Sequence, residues 1–514
     1  MTKFPEVQWV LDMEPRDVQI EALRRSYYGY RWWDQRTDRG VVSGPQWLPR
    51  GPGPVARWGH LLEMRLGKTG TTVNEFELFR TEYGINRLIV LAPNSFKAAW
   101  GSEIEKYGII MPTLVYETSN AQKTMGEAYR IRKEPFALIV NYESLQYEKT
   151  LSFLEDMVDK RTMIVADESI KIKNPSAITT KNAIAIAKPA AVKRILTGLP
   201  ITQGPQDFYS QFRFIGALDR MNYYSFRNRF CKMGGFKGKV VIGVREDQIE
   251  NLQGIISETA FIGKRKDWAK TTTPEYYTVP LTLSGVQAQH YHEMNKEMIT
   301  YLTSGETVKV DLVVSKLLKL QQISSGFLYS EDKSSIELMP LDQTPKMKRL
   351  VEMLEEEVPG KVVVAYNYGF SGDALMRVLS KWNPAVIRGT QWMKKNGVNV
   401  EDEKRRFNND PKCRVIVVQM QAGKYGHNLA GIEGDRCGHL IFYENTYSLD
   451  DRFQIEARPL GAEQDWPMVY LDFFSSQVER NVLEALIKKE SLVDAVVGSY
   501  AIGDKSRVSF DERD

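Results

Sequence analysis

Two short segments carry residue types suited to nucleotide chemistry. In EMRLGKT (63–69) a glycine precedes Lys68 and Thr69, directly after the apolar pair Leu61-Leu62. Gly67 lets backbone N–H groups wrap a phosphate, Lys68 reaches the outer phosphates, and the Thr69 hydroxyl suits magnesium. A helix opening there adds the positive end of its dipole. The complete phosphate-loop pattern has a second glycine five residues upstream of Gly67, where this chain has Leu62. Further along, DESIKIKN (167–174) follows the apolar run TMIVA. Asp167 at a strand end can hold magnesium, and Glu168 can orient and deprotonate an attacking water. G-K-T alone is a common tripeptide, and an Asp-Glu pair alone is usually a solvated loop. In this order, with the acidic pair closing a buried strand, they point to an enzyme that hydrolyses a nucleoside triphosphate with Mg2+.

The elements that must position them are legible as apolar runs. RLIVLAP (87–93), FALIVNY (136–142), TMIVADE (162–168) and RILTGLP (194–200) form one series. KVVVAYN (361–367), CRVIVVQM (413–420), HLIFYEN (439–445) and MVYLDFF (468–474) form another. Such Val/Ile/Leu runs ending in polar turns are strands buried on both faces of a parallel sheet. TPKMKRLVEMLEEEV (344–358) and FSGDALMRVLSKW (370–382) supply crossover helices. The fold class is therefore α/β, with two parallel-sheet lobes. The first lobe spans 1–270 with an insertion at about 220–260, where CKMGGFKGKVVIGVRE (231–246) reads as a small hairpin. The second spans 271–514 with a helical insertion at about 285–335 around LVVSKLLKLQQI (312–323). The Gly- and Pro-rich stretch 41–60 reads as an inserted loop.

Bulk composition narrows the class. A chain of 514 residues with 42% hydrophobic and 26% charged residues is a multi-domain globular enzyme. A net charge of +4 is small, so any basic track must come from local arrangement. Cys231, Cys413 and Cys437 lie far apart and form no CxxC pair, which argues against a disulfide framework or a cysteine zinc site. The five histidines make no metal cluster, and the pair in HYH (290–292) reads as a solvated helix face. No stretch approaches the roughly 18 apolar residues of a membrane span. The N-terminus has no signal-peptide run, so a cytoplasmic monomer away from membranes is expected.

Further motifs name the kind of nucleoside triphosphatase. LTGLP (196–200) ends another strand, QAGKYGHNL (421–429) follows a strand of the second lobe, and DRFQIEAR (451–458) lies beyond it. With Lys173-Asn174 closing the acidic motif, the chain resembles the Snf-type (Swi/Snf-related) branch of superfamily-two helicases and translocases over nearly its whole length. PRDVQIEAL (15–23), APNSFKAAWGSEIEKY (92–107) and NYESL (141–145) support the likeness. FRNRFC (226–231) and FIGKRKDW (261–268) are most similar to the compact fork-remodelling, annealing subgroup.

The resemblance implies two RecA-like lobes and assigns roles. Gln19 reads adenine. Arg65, Gly67, Lys68, Thr69, Gly426, Gln454 and Arg458 line the nucleotide site. Thr69 and Asp167 hold the metal, Glu168 is the base, and Arg458 is an arginine finger. Thr197 and Gly198 couple hydrolysis to the DNA groove. Lys97, Tyr142, Gly389, Thr390 and Lys424 contact DNA without reading sequence. Departures are equally specific: Arg65 replaces a small residue, Ile170 replaces a histidine, and Lys424-Tyr425 replaces Gly-Leu. Gly461 takes the place of a second arginine, leaving one finger or a substitute in Arg452. The aromatic YYGYRWW (27–33) either stacks on bases or packs in the core. The implied activity is ATP-driven translocation on duplex or branched DNA, as in compact phage or bacterial motors. Two rivals stand beside it: a strand-separating helicase on DNA or RNA, and a non-motor ATP switch that clamps nucleic acid or a partner.

Overall fold

A computed structural model describes residues 7–497 except 29, 38–39, 48–54, 236–237, 239, 270–271, 304–309, 331–334, 424–427, 462–463 and 465. Between 29 and 54 only the backbone is described. The chain divides into two compact units, one running to Ala269 and the other Lys270–Lys488. The last part of the helix Gln477–Val497, from Lys489, belongs to the first unit. There Gln253 Nε2 donates to the Ala495 carbonyl at 3.3 Å.

The first unit is built on a seven-stranded sheet. Its order is Ala260–Gly263, Arg57–Leu62, Val192–Leu196, Thr162–Asp167, Arg87–Ala92, Phe136–Asn141, Thr113–Val115, every pairing parallel. The central strands are buried along their length, which is why they read as unbroken apolar runs. One core packs Phe76 and Phe79 of the helix Lys68–Tyr83 against Leu88, Val90, Ile139 and Val165. The strands ending at Leu62, Leu196 and Asp167 are immediate neighbours, so the three loops that follow share one edge of the sheet.

The second unit repeats the plan. Glu275–Pro280, Val469–Phe474, Asp435–Phe442, Lys361–Tyr366, Val415–Gln419 and Ala385–Ile387 lie parallel in that order, with Gly431–Ile432 antiparallel on Asp435–Phe442. Separate apolar clusters fill its two faces, one around Phe407, Ile416 and Leu440, the other around Leu350, Val364 and Leu375. Both units are thus parallel α/β sheets with helices on each side, and all eight apolar runs are strands.

One insertion differs from the reading of the sequence. The stretch 41–60 is not a plain loop, because Gly40–Trp47 is a strand paired antiparallel with Tyr30–Thr37. The alternative roles for YYGYRWW concern side chains that lie mostly outside the described residues. The 285–335 region holds the helices Gly285–Thr303 and Val310–Ser324, then a short hairpin of Phe327–Tyr329 with Ser335–Glu337.

Candidate active site

The phosphate loop begins where the strand Arg57–Leu62 ends. Arg65 and Gly67 both adopt left-handed backbone, with φ of 67° and 84°. The glycine is needed, since a Cβ there would lie 2.5 Å from Gln19 Nε2. The helix Lys68–Tyr83 follows, with Lys68 Nζ donating to the Leu62 carbonyl at 3.0 Å. Thr69 stands in its first turn, half-buried.

Asp167 closes the next-but-one strand. Its Oδ2 accepts from Trp100 Nε1 at 2.7 Å, and its Oδ1 from the Glu168 N–H at 2.9 Å. Burial pushes its carboxyl pKa up, while the Trp100 hydrogen bond and the Lys68 charge oppose that. The phosphate-loop lysine and the strand-end aspartate are thus electrostatic neighbours. Glu168 is buried with left-handed backbone, φ 47° and ψ 55°, which is uncommon for a residue with a side chain.

Between them lies the third loop. A Cβ on Gly198 would come within 3.5 Å of the Leu62 carbonyl and the Met64 nitrogen, and 3.6 Å of Lys68 Nζ. Thr197 is fully buried, and its hydroxyl accepts from the Leu199 N–H at 3.1 Å. Ser169 donates to Gln211 Oε1 at 2.7 Å, and the Gln211 amide donates to the Pro200 and Asp207 carbonyls. Lys173 donates to the Thr202 hydroxyl, which with its own N–H is held by Asp207. The acidic motif and the LTGLP segment are therefore one hydrogen-bonded body. Asn174 serves its own turn, accepting from Ser176 N at 3.0 Å.

Gln19 touches this loop, with Oε1 accepting from Arg16 N at 3.0 Å and Nε2 donating to the Gly67 carbonyl at 3.1 Å. One N–H and one lone pair of the amide are left for a base edge. Arg16 also donates to the Arg65 carbonyl, and burial with the charges of Arg265 and Arg16 lowers the Arg65 pKa to about 10. That leaves Arg65 protonated at neutral pH.

Two expected DNA contacts are corrected. Lys97 is buried, donating to the Tyr116 carbonyl at 2.7 Å and pairing with Glu117 at 3.0 Å. Tyr142 is buried too, its hydroxyl donating to the Asp167 carbonyl at 2.7 Å, so it braces the acidic strand end. A family-like position does not reveal burial. Of the remaining candidates, Gly389 donates its N–H to Gln419 Oε1 at 3.1 Å, and Thr390 opens the exposed start of the helix Thr390–Lys395. Lys424 and Gly426 lie outside the described residues.

In the second unit the helix Leu449–Glu456 leads directly to Arg458. The Arg458 guanidinium folds back on that helix, Nε donating to the Gln454 carbonyl at 2.8 Å and an Nη to Gln454 Oε1 at 2.7 Å. Arg452 is not a substitute finger. It is buried over the Phe442 ring, paired with Asp472 and Glu456, and donates to Asn445 Oδ1 at 2.8 Å.

Sequence reasoning assigned no role to Glu63. Its Oε2 accepts from Arg265 N at 2.8 Å, whereas Oε1 is buried with no partner among the described residues. Burial outweighs the Arg265 and Lys264 charges and lifts its pKa to about 7. It thereby ties the segment after Ala260–Gly263 to the phosphate loop. Its place at the head of EMRLGKT was the only available signal.

The donor set fits a magnesium ion shared with phosphates. The hydroxyl of Thr69 and the carboxylate of Asp167 are hard oxygen ligands beside a lysine, and no cluster of three His, Cys, Asp or Glu exists among the described residues. Mg2+ keeps most of its shell as water and phosphate and needs no all-protein cage.

Comparison with known proteins agrees with this geometry. Residues 57–326 match the family model described as SNF2-related domain. The putative protein p41 of Acyrthosiphon pisum secondary endosymbiont phage 1 is 24% identical over 407 residues, 77% of this chain and 83% of its own length. The DNA repair protein RAD5 of Yarrowia lipolytica is 27% identical over 198 residues, 35% of this chain. The DNA annealing helicase and endonuclease ZRANB3 of Bos taurus is 24% identical over 174 residues, 33% of this chain. The match spans only 18% of the yeast protein and 15% of the bovine one. The Sulfolobus solfataricus SWI2/SNF2 ATPase core in complex with dsDNA aligns over 96% of this chain and 95% of its own, with 19% identity and a TM-score of 0.42. The family model covers more than half of the 514 residues and contains both the phosphate loop and the acidic motif. The chain belongs to the SNF2-related domain family and is a nucleic-acid-dependent ATPase.

Proposed function

We propose that this ATPase is a compact motor that moves along duplex or branched DNA without reading its sequence. The observation that carries the reading is the meeting of three loops on one sheet edge. Lys68 is an electrostatic neighbour of Asp167, and Gly198 lies against both the Leu62 carbonyl and Lys68. Lys68 and the phosphate-loop N–H groups bind the β- and γ-phosphates, displacing the lysine's hydrogen bond to Leu62. Thr69 and Asp167 would hold Mg2+, which neutralises phosphate charge. Glu168 orients and deprotonates the attacking water, and its left-handed backbone supports that role by turning it out of strand geometry. Gln19 reads adenine with its spare amide valences, while Arg65 adds a cation at the loop.

Arg458 is proposed to leave Gln454 and reach the γ-phosphate in the ATP-bound state, with Gln454 and Gly426 beside the nucleotide. The body formed by Ser169, Lys173, Thr202, Asp207 and Gln211 supports Thr197 and Gly198 as the link from hydrolysis to DNA grip. Gly389, Thr390 and Lys424 remain the proposed backbone contacts on the second lobe. The lobe limits proposed are 1–270 and 271–514, with the last helix shared. The phage relative supports a phage or bacterial setting, and a monomer suffices for the scheme.

The test is ATP turnover with single-stranded, duplex and forked DNA, alongside Lys68→Ala and Arg458→Ala. Stimulation by duplex or fork and near-abolition in both variants are expected, together with displacement of a triplex-forming strand. Turnover that ignores DNA would favour the clamp reading. Unwinding of partial duplexes without triplex displacement would favour a conventional helicase.

A further inference from the structure

The helix Tyr223–Phe230 and the hairpin behind it are not used by the ATPase site. The hairpin pairs Cys231–Gly234 with Val240–Val244 and joins neither large sheet. Its base is anchored: Cys231 and Val244 are buried, and Arg245 N donates to the Phe230 carbonyl at 2.9 Å. Beyond that base it presents apolar residues to solvent, with Val240 53% and Ile242 57% exposed. The register slips between Val241 and Gly243, so Ile242 is the unpaired residue of a β-bulge. A bulge of this kind re-aims one side chain and blunts an otherwise sticky two-stranded edge.

The adjoining helix carries an aromatic and basic stack. Tyr224 is 69% exposed, and the Arg227 guanidinium sits over the rings of both Tyr223 and Tyr224, at 6.0 and 5.7 Å. Arg227 Nε is buried without a hydrogen-bond partner among the described residues. Arg229 stacks on Phe230 and donates to the neutral Gln248 Oε1 at 3.4 Å, and Lys232 is exposed on the first hairpin strand. Among the described residues no carboxylate pairs with Arg227, Arg229 or Lys232. Two other arginines of the region do have such partners, Arg213 with Asp219 at 3.3 Å and Arg245 with Asp247 at 2.8 Å. Three unpaired cations beside an exposed tyrosine and an outward isoleucine match a strand that offers phosphates and unstacked bases together. Intact duplex hides its bases and so offers this surface no such strand.

We propose that this helix and hairpin form a second DNA contact, which holds the single strand at a duplex–single-strand junction. Arg227, Arg229 and Lys232 take its phosphates, and Tyr224 and Ile242 take the first unpaired bases. The inference rests on the DNA-motor reading and adds the structure of DNA that the motor selects.

The test measures binding of a forked DNA and of a blunt duplex of equal length, without nucleotide, at several salt concentrations. Arg227→Ala/Arg229→Ala/Lys232→Ala should lose the fork preference and lower the salt slope for the fork by about 2, from roughly 0.7 per released single-strand contact. Tyr224→Ala should weaken fork binding by about tenfold, with Tyr224→Phe retaining it. Duplex-stimulated ATP turnover should stay at the parent level in all three. The milder pair Arg229→Ala/Lys232→Ala, both exposed, reports the same effect should the triple variant melt early. Fork affinity equal to the parent's, or fork and duplex affinity falling together, would overturn the proposal. Failure of the motor reading is distinct, because the unaltered protein would then show no DNA-stimulated turnover at all.

Discussion

The two units place their functional side chains by different means. In the first, Gly67, Lys68, Asp167, Thr197 and Gly198 stand at the ends of three adjacent parallel strands, and backbone geometry fixes their spacing. In the second, Arg458 stands just past a two-turn helix, and side chains hold that helix down. Arg452 clamps it to the strand Val469–Phe474 through Asp472 and to its own turn through Glu456. Tyr470 and Tyr276 donate to the Glu456 carbonyl and carboxyl respectively. A strand-end site is positioned by the sheet itself, whereas a helix-end residue depends on every partner of its helix. The first arrangement suits groups that must not move during phosphate chemistry. The second suits a group that must travel, as Arg458 must if it is to exchange Gln454 for a phosphate.

The largest test of that contrast is Arg458→Ala. Loss of an arginine finger lowers turnover by on the order of 10³–10⁵. A cooperative melting transition should persist, so that the loss reads the finger rather than the fold. Steady-state ATPase assays beside thermal melts read both quantities. Turnover that survives would mean the second unit supplies no catalytic cation from this helix.

Arg452→Ala comes next and probes the clamp. Removing one partner from a buried ion pair costs about 3–5 kcal/mol, and Glu75→Ala in the first unit should cost a similar amount. There Glu75 takes both ends of the Arg194 guanidinium, at 2.7 and 2.8 Å, with His60 at 3.3 Å. Urea denaturation should show both losses, while only Arg452→Ala also loosens the helix that leads to Arg458. If Arg452→Ala abolished turnover with stability intact, the arginine would be acting on nucleotide, and the clamp reading would fall.

The same contrast explains what the sequence disclosed. Strands buried on both faces announced themselves as apolar runs, and the first site lies at their ends, so Lys68, Asp167 and Gly198 were legible together. Arg57–Leu62 was hidden because RWGHLL carries two ionisable residues; His60 nevertheless lies fully buried against Glu75. Thr113–Val115 and Ala385–Ile387 are too short to show a period. Lys97 and Tyr142 were misread because a motif position carries no record of burial. Arg452 looked available for the same reason, since its partner Asp472 lies twenty residues away in sequence.

The smallest effect separates two buried glutamates of the first unit by the sign of their pH dependence. Glu63 has one oxygen without a hydrogen-bond partner among the described residues and a pKa lifted to about 7. Burial would lift Glu75 as well, but Arg194 and His60 outweigh it and bring the value down to about 2. A carboxyl raised in the folded state binds more protons there than in the unfolded chain. Glu63 therefore withdraws stability as pH climbs from about 4.5 to about 7, by about 3 kcal/mol at 1.36 kcal/mol per unit. Glu75 runs the other way: its contribution is complete above about 4.5 and drains as pH falls toward about 2. Glu63→Gln should flatten the slope of unfolding free energy between pH 5 and 7, keeping the Arg265 hydrogen bond through the amide carbonyl. Urea midpoints taken across that range measure it. An unchanged slope would mean that Glu63 is already ionised, with a cation facing Oε1, and that the phosphate loop is tied to Arg265 by charge.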